Sequence, residues 1–383
     1  MTHRMILNQM AYFGRGSLSQ LVPELRRRGF TKAFIVTDAV LVDVGTAGKV
    51  TQLLEEADFP YVIFSDVVPN PPVENVKAGV RAFEESGADV IIGLGGGSPQ
   101  DTGKAIGIIA NNPEFSDVLS LEGAADTKNP SIPIVGIPTT AGTASETTIH
   151  YVISDHENNR KFACVDPNDI PVLAIVDPDL MDAMPRSLKV ATGLDALTHA
   201  IEAYITKDAW ELTDAILLRA IQIIAANLKN AADGDPDAVE AMGTASYMAG
   251  IGFSNVGLGL VHGMAHPLSG RYNAPHGLAN GILLASVMEY NADYTGEKYR
   301  DIAEAFGVED AQTSSLDDAR RNAIAAVREL VIDLGNPTSI SAVGATEDGL
   351  DALAADAFAD VNTPGNPRPT SVGDIRAIYA SLL

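Results

Sequence analysis

The sequence predicts an α/β domain built on a parallel sheet, followed by an all-α domain. Three observations predict it. In the first half, short apolar runs alternate with helix-compatible stretches, the pattern of a parallel sheet covered on both faces. Near residues 177–185 the alternation stops, and Ala- and Leu-rich segments with helical periodicity take over. A chain of 383 residues exceeds what a single core usually holds, so two domains are expected. The expected domains are 1–183 and 184–383.

The strand-like runs are Ala33–Thr37, Tyr61–Phe64, Asp89–Ile92, Ile132–Ile137 and Val172–Val176. Between them, Val73–Ser86 and Pro99–Ala110 are compatible with helix. Beyond the boundary, Leu212–Leu228, Ala238–Gly250, Gly277–Tyr290 and Ala319–Leu334 carry helical periodicity. No internal repeat, low-complexity tract or long flexible linker interrupts the chain.

Apolar residues make up 46% of the chain, enough for a large core. The longest apolar runs are too short to cross a bilayer. The start, Met1-Thr2-His3-Arg4, leads into no signal-peptide pattern. A soluble, cytoplasmic protein is therefore expected. The single cysteine, Cys164, excludes an internal disulfide and a thiolate-cluster metal site. A formal net charge of −24 argues against nucleic acid or an anionic membrane as partner, since both favour a basic surface.

Two loops in the first half suit a nucleotide. Gly93-Leu94-Gly95-Gly96-Gly97-Ser98 follows a strand, and Pro99 fits the first turn of a helix. Such a turn presents backbone N–H groups to a pyrophosphate. Ser98 takes the last glycine position of the usual dinucleotide fingerprint, and Ala105 takes the Mg²⁺-binding hydroxyl position of a Walker A loop. The second loop, Pro138-Thr139-Thr140-Ala141-Gly142-Thr143, offers three hydroxyls at a strand's C-terminal end, where open parallel sheets bind ligands. Asp38 directly follows the strand ending at Thr37. Its carboxylate suits a ribose diol, or equally a helix cap.

The second half offers metal ligands. Asp195 and His199, and His262 and His266, each stand four residues apart, which puts both members on one helix face. His276 follows in Pro275-His276-Gly277. These are five candidates for about four positions around Zn²⁺ or Fe²⁺, so one of them has another task. On a helical wheel, Leu194, Leu197, Ile201 and Ile205 share an apolar stripe, whereas Asp195, His199 and Glu202 cluster on a different face. A nucleotide site in one domain and a metal in the next suggest hydride transfer to a metal-polarised substrate in the cleft between them.

The chain resembles the iron-dependent (group III) alcohol dehydrogenases along essentially its whole length. The resemblance is carried by "VVPNPP", "GLGGGSPQDTGKAIGI", "IPTTAGTASE", "RKFACVDPNDIP", "ATGLDALTHAIEAYIT", "GFSNVGLGLVHGMAHPL" and "YNAPHG". It implies Fe²⁺ held by Asp195, His199, His262 and His276, and His266 beside nicotinamide and substrate instead. It implies NAD lying across Asp38, Asn70, Gly96, Gly97, Ser98, Thr139, Thr140, Thr143 and Lys161. It also implies a homodimer, an N-terminal dinucleotide-binding domain and a C-terminal helical metal-binding domain. The implied activity is NAD(H)-dependent interconversion of a small 2-hydroxyaldehyde and a vicinal diol such as 1,2-propanediol. One position departs from the most similar pattern: His150 stands where Asn is usual.

The rival reading is a dehydroquinate-synthase-like lyase, which also uses metal and NAD. Its anionic substrate requires basic residues, and the motifs here are surrounded mainly by Gly, Ala, Leu, Phe253 and Asn255. Another short-chain alcohol as substrate of the same family is a further alternative.

Overall fold

The computed structural model describes residues 2–158 and 160–383. They fall into two compact units, Met1–Met184 and Pro185–Leu383. Among its described residues the first unit holds nine strands: β1 (Met10–Phe13), β2 (Ala33–Asp38), β3 (Tyr61–Val67), β4 (Val90–Gly95), β5 (Gly123–Ala124), β6 (Ile134–Pro138), β7 (His150–Asp155), β8 (Arg160–Val165) and β9 (Leu173–Val176).

Six of them form one parallel sheet in the order β1-β9-β6-β4-β2-β3. The central strands β4, β6 and β9 are buried along their whole length. Burial on both faces is why they read as nearly continuous apolar runs. Successive residues point to opposite faces. On one face Ile35, Ile92, Val135 and Ile175 pack with Leu21, Leu25, Val50 and Leu54. On the other, Phe34, Val36 and Ile91 pack with Phe83 and Ile106.

The helix Val73–Ser86 occupies the residues expected of it, and Gly97–Asn111 extends the expected Pro99–Ala110 at both ends. Four strands had no counterpart in the apolar runs. β1 is a four-residue edge strand with no fully buried residue. β7 and β8 pair antiparallel, and β5 joins β8 in a separate three-stranded sheet. Polar residues flank the short apolar stretches Tyr151–Ile153 and Phe162–Val165 in β7 and β8, and β5 is only two residues long. His150 opens β7 opposite Val165.

The second unit is helical, with no strand among its described residues. Its longer helices include Arg186–Ile205, Glu211–Ala232, Pro236–Val256, Leu260–Tyr272, His276–Asn291 and Leu316–Asp333. Each of the four periodic segments expected there lies within such a helix to within a residue. The first helix is buried on every side from Gly193 to Ile205. Asp195, His199 and Glu202 are therefore polar groups inside a core, and each needs a partner there. Among the described residues, no helix is long and apolar enough to cross a membrane.

Candidate metal centre and nucleotide loops

Three helices bring the metal candidates together. Arg186–Ile205 carries Asp195 and His199, Leu260–Tyr272 carries His262 and His266, and His276 opens His276–Asn291. Asp195 Oδ1 lies 3.7 Å from His262 Nε2, 3.6 Å from His276 Nε2 and 3.9 Å from His199 Nε2. A tetrahedral ion with bonds of about 2.1 Å separates its ligands by about 3.4 Å. The spacing therefore suits four ligands around one small dication. Asp195, His262 and His276 form the tighter group, with donor atoms all within 4.8 Å of one another. His199 approaches through Asp195, its ring stacked between Phe253 at 4.3 Å and His262 at 4.6 Å.

Glu202 orients His262. One oxygen accepts from the backbone N–H of Val261 at 2.6 Å, and the other lies 2.6 Å from His262 Nδ1. A carboxylate only accepts, so Nδ1 carries the hydrogen and Nε2 faces the group as a lone pair. Asn280, one helical turn after His276, donates to Asp195 Oδ1 at 2.7 Å. The same amide nitrogen lies 3.2 Å from His262 Nε2 and 3.3 Å from His276 Nε2. Three electron-rich atoms thus converge on an amide with two hydrogens. A dication satisfies the surplus lone-pair density.

The electrostatics point the same way. Burial opposes ionisation of Asp195, but His199, His276 and His262 outweigh it and hold the carboxyl well below its usual range. Burial also opposes a charge on His262, yet Asp195 and Glu202 push it up to about 9. The group favours positive charge at its centre, and a bound cation supplies that without protonating the imidazoles. The donors are imidazole and carboxylate with no thiolate, a set that accommodates Fe²⁺ or Zn²⁺.

His266 stands outside the donor group. Its ring stacks on His276 with centroids 5.3 Å apart, and its Nδ1 lies 2.7 Å from Asp360 Oδ2.

In the first unit, the nucleotide candidates gather at the C-terminal edge of the sheet. β4 and β6 are paired with Gly95 opposite Pro138, so the glycine loop and the threonine loop leave adjacent strands at the same level. Thr139 N–H donates to Gly95 O at 3.1 Å. Gly95 has φ 150, and a Cβ there would lie 2.5 Å from Pro99 Cγ. A Cβ on Gly97 would lie 3.1 Å from Thr143 Cγ2. Bare backbone at Gly95 lets the loop turn closely onto Pro99, and at Gly97 it lets the loop approach the threonine loop. Gly96 caps the helix Gly97–Asn111, and Ser98 lies in its first turn. The helix N–H groups are thus available to an anion. Thr140 Oγ1 is buried with no partner in the protein, a hydroxyl left for a ligand.

Lys104 ties the segment that follows the threonine loop to the helix Gly97–Asn111. Its buried ammonium donates to Thr148 O, Thr148 Oγ1 and His150 O at 2.7, 3.0 and 2.8 Å. Asp101 accepts from Ser145 Oγ at 2.7 Å and Val152 N–H at 3.0 Å. Asp38 ends β2 beside β4, and its Oδ1 caps the helix Ala39–Asp43 through Leu41 N–H at 2.9 Å. The capping alternative is therefore realised, with the second carboxylate oxygen outside that bond. Asn70, at φ 55 after β3, accepts from Lys161 Nζ at 2.7 Å. That contact joins two residues far apart in sequence, both expected to meet the nucleotide.

Sequence reasoning assigned no role to Asn280, Asp360 or the Glu202 contact. Asn280 had a signal, its position four residues after His276. Glu202 shared the polar helix face with Asp195 and His199. Asp360 had none, since it lies 94 residues from His266 in an ordinary polar turn.

Residues 8–178 match the iron-containing alcohol dehydrogenase family, and residues 189–383 match its C-terminal part. The chain is 57% identical over 379 residues to the lactaldehyde reductase of Escherichia coli (strain K12), with 99% of each chain covered. It is 41% identical over 386 residues to the 1,3-propanediol dehydrogenase of Klebsiella pneumoniae, again with 99% of each covered. The crystal structure of a 1,3-propanediol oxidoreductase superposes with a TM-score of 0.96 at 40% identity, covering all of both chains. These matches set the lyase alternative aside. The chain belongs to the iron-containing alcohol dehydrogenase family.

Proposed function

We propose that this protein reduces lactaldehyde to 1,2-propanediol and runs the reverse oxidation, with NAD(H) as cofactor and Fe²⁺ at the centre. The observation that carries the reading is the 57% identity, over nearly all of both chains, to a lactaldehyde reductase. The imidazole–carboxylate group supports it. We assign the iron to Asp195, His199, His262 and His276. We assign the dinucleotide to Asp38, Asn70, Gly96, Gly97, Ser98, Thr139, Thr140, Thr143 and Lys161. When bound, the iron polarises the substrate oxygen and the nicotinamide exchanges hydride with the carbon.

The protein's own residues then have separable tasks. Glu202 keeps His262 Nε2 directed at the ion, and Asn280 keeps Asp195 oriented beside it. Gly96 and Gly97 allow the glycine loop to approach the threonine loop closely, and the helix after them meets the pyrophosphate. His266 moves the hydroxyl proton. The family resemblance implies a homodimer, and the lack of a signal-peptide pattern or long apolar run in the sequence is the basis for expecting a cytoplasmic location; light scattering and cell fractionation test them.

His150 favours a second reading of the substrate within the same family. An imidazole there is larger than the usual amide and can titrate, so the preferred aldehyde can differ from that of the relatives. The test is NADH oxidation by the iron-loaded protein over a panel of short aldehydes. The highest kcat/KM is expected with lactaldehyde. A clear preference for 3-hydroxypropanal or another unbranched aldehyde transfers the assignment to the second reading.

A further inference from the structure

We propose that Asp360 is a positioning residue, which holds His266 in the tautomer with hydrogen on Nδ1 and leaves Nε2 to carry the substrate proton. The inference rests on the assignment of His266 as the proton relay and adds the group that sets its state.

The two histidines on the helix Leu260–Tyr272 are treated alike and differently. Each has Nδ1 against a carboxylate from a distant segment, His262 against Glu202 at 2.6 Å and His266 against Asp360 at 2.7 Å. The first pair has side chains 2% and 3% exposed, whereas the second has 11% and 12%. The His266 pair is the more exposed of the two.

Asp360 is itself fixed. Its Oδ1 accepts from both the backbone N–H and the side-chain amide of Asn362, each at 2.9 Å, while Oδ2 faces His266. The turn is pressed onto the helix at Gly263, where a Cβ would lie 2.2 Å from Thr363 Oγ1. Thr363 Oγ1 in turn donates to Ala357 O at 2.6 Å. Neither carboxylate oxygen is free to rotate away, so the His266 ring has one hydrogen-bonded orientation.

The proton balance follows. In alcohol oxidation the substrate O–H bond breaks and its proton goes to Nε2, directly or through one water. The C–H electron pair leaves with the hydride to the nicotinamide. Nδ1 keeps its hydrogen toward Asp360 Oδ2 throughout, so the transferred proton resides on Nε2. In aldehyde reduction Nε2 returns the proton to the oxygen. With hydrogen on Nε2 and Nδ1 bare, the ring cannot accept the alcohol proton at Nε2.

Asp360→Asn makes a sharp test because Asn362 presents two donors to Oδ1. The substituted amide must turn its carbonyl to Asn362 and its NH₂ to His266. Nδ1 then becomes an acceptor and the hydrogen moves to Nε2. The state is read by ¹⁵N NMR of ring-labelled histidine in zinc-loaded protein, with His266 assigned from the His266→Ala spectrum. The parent is expected to carry hydrogen on Nδ1 and the Asp360→Asn variant on Nε2. In iron-loaded enzyme, Asp360→Asn should lower kcat by about 10²-fold, within the range of general acid–base catalysis. KM for the aldehyde and iron per subunit should stay within about threefold of the parent. Placed in a His266→Ala background, the same substitution should have no further effect on kcat. An unchanged tautomer, or an equal loss in both backgrounds, overturns the positioning role. Full kcat in His266→Ala alone overturns the relay assignment instead.

Discussion

The two proposed ligand sites, one in each unit, are built from opposite materials. In the first unit the ligand surface is made by what side chains omit. Gly95 and Gly97 lack Cβ atoms where Pro99 and Thr143 already stand. In the second unit the surface is made of side chains, with Asp195, His199, His262 and His276 projected from three helices into one point. The first half lies in short contiguous loops and the second in residues scattered over the chain. The difference teaches where each half is vulnerable: the loops to added bulk and altered backing, the metal group to any lost donor.

The largest expected effect breaks the metal half alone. His262→Ala removes a donor from the tight group and leaves Glu202 and Asp195 without their imidazole. Iron content should fall to background and activity should be abolished, while NADH binding, followed by fluorescence titration, should survive. Full iron content and full turnover together would remove His262 from the ligand set.

The next effect concerns the backing of the nucleotide half. Glu146 is buried behind β6, its Cβ 2.6 Å from where a Gly136 Cβ would be. Burial pushes its carboxyl up to about 7, against a partial offset from Lys104. Below about pH 4.5 both folded and unfolded states hold the proton. Between there and about pH 7 only the folded state holds it, so stability falls as pH rises. The loss approaches about 3 kcal/mol once both states are ionised. Glu146→Gln should remove this slope, gaining on the parent at pH 8 relative to pH 5 in urea unfolding. Parallel pH profiles for the two proteins would contradict the raised carboxyl.

A smaller effect weakens the metal half without removing a ligand. Glu202→Gln changes the group that orients His262, and such outer contacts typically account for about 10–100-fold in metal affinity. Competition with a chelator should reveal that loss, with the iron-saturated variant regaining most of its turnover. Unaltered metal affinity would reduce Glu202 to a core hydrogen bond.

The smallest effect concerns cofactor choice. Asp38 caps a helix through one oxygen, and glycine at an N-cap costs only a few tenths of a kcal/mol relative to aspartate. Asp38→Gly therefore tests the ribose role with little structural penalty. The parent should prefer NADH over NADPH, and the variant should narrow that ratio by about tenfold, a change of about 1.4 kcal/mol. A parent that uses both cofactors equally well would end the ribose assignment.

The sequence by itself determined the order and type of the main elements, because periodicity is a local property. β4, β6 and β9 are buried on both faces and therefore appear as apolar runs. The helix Val73–Ser86 is bounded by Pro72 and Gly87, which start and stop it without tertiary help. The glycine and threonine loops were legible because each lies within a few residues. The pairs Asp195/His199 and His262/His266 were legible because one helical turn brings their members together.

Tertiary structure decided the rest. β1 and the β7–β8 hairpin gain their form from pairing partners, β1 from β9 at the sheet edge and β7 from β8, since their short apolar stretches do not by themselves specify a strand. That His276 joins Asp195 and His262 depends on three helices crossing. The contrast between His262 and His266 depends on Glu202 and Asp360, which lie 60 and 94 residues away from them. Spacing in a helix brings two imidazoles to one face, but it cannot specify which carboxylate meets each ring or how much solvent remains beside it. Those are properties of packed segments distant in sequence, and they give His262 and His266 different surroundings.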